Sequence, residues 1–438
     1  AVALVGRTRA SDAVGRGRRV TQKVGDRHGM ARNRSWGRAA LASLGKRGSR
    51  SGGARRAWDA PRQASAACAV VRAARAPAGA LDLAQAHGSS PSIDSRPPMT
   101  SLPTPAAPEL VCPAGSLRAL QLAVDAGADA VYVGLRNATN ARNFAGLNFD
   151  DAQLAQGVAY AHARGAQVFM ALNSFAKAGA EDTWYRAVDA AAAAGADALI
   201  VADSAVMAYA RDRHPALRLH LSVQASATSY EAIEFYRRQY GIQRAVLPRV
   251  LTLSQVGHVL RHVAVEIEVF AFGSLCVMVE GRCTLSSYAT GQSPNNAGVC
   301  SPPSAVRWTE TPLGVESRLN GLLIDCYAPD EPRGYPTLCK GRFDVDGQRG
   351  YALEEPTSLN SMSVLPELMR MGVKAVKIEG RQRSPAYVEQ VTRVWRQALD
   401  SAQASIDRFE PAVAWTATLD RLAEGQQHTL GAYDRPWR

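Results

Sequence analysis

From residue 109 onward, short β-branched apolar runs alternate with Ala-rich stretches whose apolar positions recur at helical spacing. LVCPAG (110–115) reads as a strand and its turn, and SLRALQLAVDAG (116–127) as a helix stopped by glycine. The same texture returns in AVYVGL (130–135), QVFMALN (167–173), ALIVAD (198–203), LRLHLSVQ (217–224), AVLPR (245–249) and EIEVFAFG (266–273), each followed by a stretch of helical periodicity. Units of about 25–35 residues built this way predict parallel strands joined by helical crossovers. Seven units end at Gly273, and VKAVKIEG (373–380) with the helix over 386–403 supplies an eighth. The fold class expected is therefore α/β, a (β/α)8 TIM-like barrel, with residues of about 274–358 inserted after strand seven at the carboxyl face. An open doubly wound sheet is the alternative, although no Gly-x-Gly-x-x-Gly or Walker lysine follows the first strand.

Residues 1–98 break this pattern. They are rich in Arg, Gly, Ala and Ser without sustained apolar periodicity, and are expected to be disordered. An Arg-rich transit peptide, a Gly/Arg tail and translation upstream of a true start at Met99 are three readings, of which the last is preferred. This segment also corrects the first impression left by the net charge of +12. It carries 19 Lys and Arg against 5 Asp, a balance of +14, so residues 99–438 stand at −2. A near-neutral body with no basic stripe predicts no nucleic-acid partner. No apolar run reaches the roughly 18 residues of a transmembrane helix, and the widely spaced, odd number of cysteines fits a reducing compartment, the cytoplasm by default.

Four of the seven cysteines, Cys276, Cys283, Cys300 and Cys339, fall in the inserted region with gaps C-x6-C-x16-C-x38-C. Four soft thiolates converging on one point would bind an iron–sulfur cluster or zinc. The lack of C-x2-4-C knuckles favours a cluster, and the polar, Gly/Pro/Asn-rich flanks argue against ordinary buried cysteines. Cys326 reads as structural, and Cys68 lies in the N-terminal segment.

A barrel would aim its strand ends at the mouth: Cys112 and Pro113, Asn173, Asp203, Gln224, Arg249, and Glu379 with Arg381. The plain readings are that Asp203 caps a helix and that Glu379 and Arg381 form a surface pair. The loop 136–148 concentrates Arg136, Asn140 and Arg142 there, which suits a carboxylate-bearing ligand, since guanidinium forks match carboxylates. Arg136, Asn140, Arg142, Gln224, Arg249, Glu379 and Arg381 are the candidate substrate-binding residues. No catalytic residue is singled out. There is no Gly-x-Ser-x-Gly elbow and no His-Glu-x-x-His, and His220, within an alternating strand, reads as a packed histidine.

ELVCPAGSLRALQLAVDAGADAVYVGL (109–135) resembles the opening of the collagenase-like "unknown-mechanism" peptidase family, and VKIEGRQRSPAYV (376–388) its last barrel strand and helix. FAFGSLCVMVEGRC, LSSYATGQSPNNAGVCSP, RWTETPLGVESRLN, GYPTLCKGR, ALEEPTSLN and LGAYDRPWR resemble the ubiquinone-biosynthesis branch of that family. The resemblance implies a [4Fe-4S] cluster on Cys276, Cys283, Cys300 and Cys339. It also implies a heterodimer with a UbiV-like protein, a UbiT-like lipid-binding protein nearby, and oxygen-independent hydroxylation of a quinone precursor with prephenate as oxygen donor. The other readings are an RNA-base hydroxylase, whose relatives carry more chain after the barrel, a non-catalytic scaffold, and a peptidase.

Overall fold

The computed structural model describes residues 106–276 and 283–434, so the expectation of disorder over 1–98 lies outside the described residues. Seven strands run in parallel and in chain order: β1 (Glu109–Pro113), β2 (Ala130–Val133), β3 (Gln167–Leu172), β4 (Ala198–Val201), β5 (Arg218–Leu221), β6 (Arg244–Val246) and β7 (Glu266–Ser274). Helices 117–125, 151–162, 182–193, 204–213, 230–240 and 253–262 connect them. Helix starts follow ordinary chemistry: Ser116, Asp150, Asp203, Ser229 and Thr252 each cap the first turn with a side-chain oxygen.

Residues 275–357 intervene before the barrel closes. They hold the short helices 284–290 and 294–297, then an antiparallel sheet of β8 (Val306–Thr311), β9 (Gly314–Leu319) and β10 (Leu322–Tyr327), and a hairpin of β11 (Arg342–Val345) and β12 (Gln348–Tyr351). Ala289, Val306, Leu319 and Ile324 make their small core. The chain returns through β13 (Ser358–Asn360) and the helix 365–371 to β14 (Ala375–Ile378), which pairs in parallel with both β1 and β7 and closes an eight-stranded parallel barrel. The helix 385–404 packs over β1, and a further helix spans 413–422. β13 lies antiparallel to the upper end of β7, and β15 (His428–Thr429) adds to β13.

Two apolar layers hold this frame. The larger lies between strands and helices, with Trp395 wholly buried within it. The smaller fills the barrel with Val111, Ala130, Tyr132, Phe169, Ala198, Ile200 and Ala375. Charge also enters the barrel. Arg244, with no exposed surface, meets Glu109 and Glu266 at 2.7 Å and Glu268 at 3.2 Å, and Lys377 meets Glu268 at 2.8 Å. Beside them His220 is buried edge-on to Phe169, and burial holds it far below the usual histidine range, hence neutral. The packed-histidine reading of His220 holds.

Candidate functional site at the barrel mouth

Above that charged layer, Tyr132, Arg142, Asn173, Ser222, Gln224, Arg249, Phe270, Lys377, Glu379 and Arg381 line a recess of about 520 Å³ counted to its open rim. Its floor is Tyr132, whose hydroxyl donates to Ile378 O at 2.9 Å and whose ring lies 4.0 Å from Lys377 Nζ. One wall is apolar, formed by Ile200, Val246 and Phe270. The segment 379–381, which follows β14 beside β7, lines the recess next to Phe270. Glycines make room for it: a Cβ at Gly273, where φ is +126°, would stand 2.7 Å from the Glu379 Cβ, and one at Gly134 would stand 2.3 Å from Arg381 Nη1.

The charges there are unevenly satisfied. Glu379 pairs with Arg142 Nη2 at 3.3 Å and accepts from Gln382 at 3.2 Å. Burial alone would raise its carboxyl, but Arg142 and then Arg249 hold it below the usual glutamate range. Arg249 donates to Ser274 O and lies over Phe270. Arg381 is only 2% exposed, and its Nε and Nη1 have no hydrogen-bond partner among the described residues. Burial pulls this guanidinium down to about 10, still protonated at neutral pH. A buried cation with idle donors beside an open recess is a ready anion site.

The inserted segment docks on this mouth. Phe175 N donates to Asn295 O, and Asn296 Nδ2 donates to Phe175 O, both at 2.9 Å. Gly298 abuts Asn140 O so closely that a Cβ would stand 2.3 Å away. Of the four cysteines, Cys283 caps the helix 284–290, its sulfur accepting from Ser286 N at 3.4 Å. Burial raises the Cys300 thiol; Arg142 opposes this and Cys283 adds to it. Burial also raises Cys339, to about 11, with Cys300 and Cys276 contributing. Each thiol thus lies within electrostatic reach of another. Among the described residues, however, no three His, Cys, Asp or Glu side chains gather closely enough to share one metal ion.

Of the predicted residues, Arg142, Gln224, Arg249, Glu379 and Arg381 come together at the recess, as does Asn173. Arg136 does not: its guanidinium turns to Asp150 at 3.1 Å and Gln153 at 2.6 Å on the surface. Asn140 is spent inside its loop, donating to Leu135 O and accepting from Arg142 N. Cys112 faces the helix layer, where Thr392 Oγ1 donates to its sulfur at 3.2 Å, because alternation along β1 puts it on the face opposite Val111. Asp203 is a helix cap, as its plain reading had it, and its second oxygen accepts from Ala176 N. Glu379 and Arg381 are buried and do not form a surface pair. Tyr132, Ser222, Phe270 and Lys377 went unpredicted at the recess; inward alternation from a known strand end would have found Lys377 two residues before Glu379.

Residues 115–433 match the model of peptidase family U32. The chain is 31% identical to tRNA hydroxylation protein P1 of Bacillus subtilis (strain 168) over 72% of its own length and 68% of the relative's. It is 31% identical to tRNA hydroxylation protein P of Escherichia coli (strain K12), covering 68% and 69%, and 28% identical to that organism's 23S rRNA 5-hydroxycytidine C2501 synthase, covering 75% and 47%. These names overturn the expectation of no nucleic-acid partner: the net charge of a whole body does not report on a local binding surface. No helix among the described residues is long and apolar enough to cross a membrane. With the family model spanning most of its length, the chain belongs to peptidase family U32.

Proposed function

We propose that this chain hydroxylates an aromatic ring without dioxygen, taking the oxygen from a carboxylate-bearing donor such as prephenate held at the barrel mouth. The observation that carries the reading is Arg381, a buried guanidinium whose Nε and Nη1 have no partner among the described residues and which lines an open recess. A carboxylate fits that fork, while Ile200, Val246 and Phe270 receive an apolar ring. Arg142 and Arg249 add positive charge, and Glu379 stays ionised to orient Arg142.

Cys276, Cys283, Cys300 and Cys339 are the residues that would hold a [4Fe-4S] cluster. Cys283 acts on the charge of Cys300, and Cys300 and Cys276 on that of Cys339, as donors to one shared centre would. Such a centre supplies electrons one at a time. The chain's own part is to fix the donor's carboxylate at Arg381 and to seat its ring against Phe270.

Motifs of the UbiU-type branch favour a quinone precursor as the ring, a UbiV-like partner and a UbiT-like lipid carrier. The names of the relatives favour a second reading, an RNA base. Anaerobic co-purification of the full chain with the UbiV-like protein, followed by iron and sulfide analysis, tests the first step. About four of each per chain, lost in Cys300→Ala, is expected. Product analysis with a quinone precursor and with unmodified tRNA then decides the ring. Hydroxylation by the partner alone would leave this chain a scaffold, and zinc in place of iron would remove the redox reading.

A further inference from the structure

We propose that His258 and His262, on the outer helical ring of the barrel, form a two-histidine site for one late divalent transition-metal ion. They stand four residues apart on the helix 253–262, so both rings project from one face, and both residues are exposed. Their ring centroids are 4.3 Å apart. The His262 Nδ1 contacts the His258 carbonyl oxygen at 2.7 Å. Only a protonated Nδ1 can donate to that oxygen, so in the neutral ring Nε2 carries the lone pair. A backbone carbonyl in this role is the usual outer support of a metal-bound imidazole.

The neighbouring helix 230–240 completes the setting. The Tyr230 ring stacks on His262 at 4.9 Å and lies 5.7 Å from His258, limiting the rotamers both rings must lose on binding. Glu231, exposed in the first turn of that helix and next to Tyr230, adds negative charge nearby. The other described histidines are differently occupied. His162, His214 and His428 face Asp197, Asp189 and Asp420, and His220 is buried.

Imidazole pairs select zinc, nickel and copper over magnesium or calcium. No third protein ligand completes the set among the described residues, so water fills the remaining positions and the ion exchanges. The site is separate from the mouth and does not depend on the reaction performed there.

Titration of the anaerobically purified full chain with Ni²⁺, the metal at its four cysteines left in place, followed calorimetrically, tests it. His258→Ala and His262→Ala should each weaken Ni²⁺ binding on the order of tenfold or more through loss of the chelate, with unchanged melting in the absence of Ni²⁺. Cys300→Ala and His428→Ala should retain the site. Binding within twofold of the parent in both single-histidine variants, or binding lost only with the cysteine, would overturn the assignment.

Discussion

Two layers of charge sit in one barrel, and they are completed in different ways. In the lower, enclosed Arg244 is met by Glu109, Glu266 and Glu268, and Lys377 takes the other oxygen of Glu268. In the upper, Glu379 pairs with Arg142, and among the described residues two Arg381 donors find no acceptor. Both layers bear the cost of taking ions out of water. The lower recovers it through pairing between strands, which makes it part of folding. On the proposed reading, Arg381 in the upper layer recovers it when an anion arrives, which makes it part of binding.

The largest test of this contrast is Arg244→Met. It strands buried carboxylates and should cost about 3–5 kcal/mol, read as a lowered urea midpoint at constant slope. Gly134→Ala comes next: its Cβ would press on Arg381 and Asn140, costing about 1–3 kcal/mol and weakening carboxylate binding at the mouth. Glu379 gives a smaller effect that depends on pH. Its folded pKa lies below the unfolded value, so its contribution is present above about pH 4.3 and lost as pH falls through the depressed folded pKa. Glu379→Gln should remove that acid limb from a plot of stability against pH, and identical limbs in the two proteins would break the assignment. The smallest effect on stability belongs to Arg381→Met. Stability should hold within about 1 kcal/mol or rise, while calorimetric affinity for a probe carboxylate such as phenylpyruvate collapses. A loss as large as that of Arg244→Met would make the upper layer architectural too.

The barrel was legible because its outward positions obey simple periodicity: Val376 and Ile378 pack on helices as the alternation of VKAVKIEG requires. The lower ion layer was hidden because Arg244, Glu268 and Lys377 look like solvent-facing positions until the sheet closes on itself. Closure pairs β7 with β14 across a hundred residues of chain, which no local window sees. The small sheet of β8 to β10 escaped notice for another reason. Strand β8, VRWTET, is exposed over most of its length, so it lacks the apolar signal that marks a strand. At the mouth, residue type was informative and direction was not. Arg142 and Arg381 reach the recess while Arg136, of the same chemistry, is held outside by Asp150 and Gln153.

Strand β7 has a further consequence, in time rather than space. One of its edges is covered by β6, made before it; the other awaits β13 and β14, both made after it. At about 5–20 residues per second, synthesis of residues 275–357 keeps that edge without its partners for roughly 4–17 s. The rim is finished later still, when β15 joins β13 and the Tyr433 hydroxyl reaches Phe270 O. The nascent chain therefore carries an open sheet edge through the making of its whole inserted segment, and that interval is when it is most exposed to pairing with another chain.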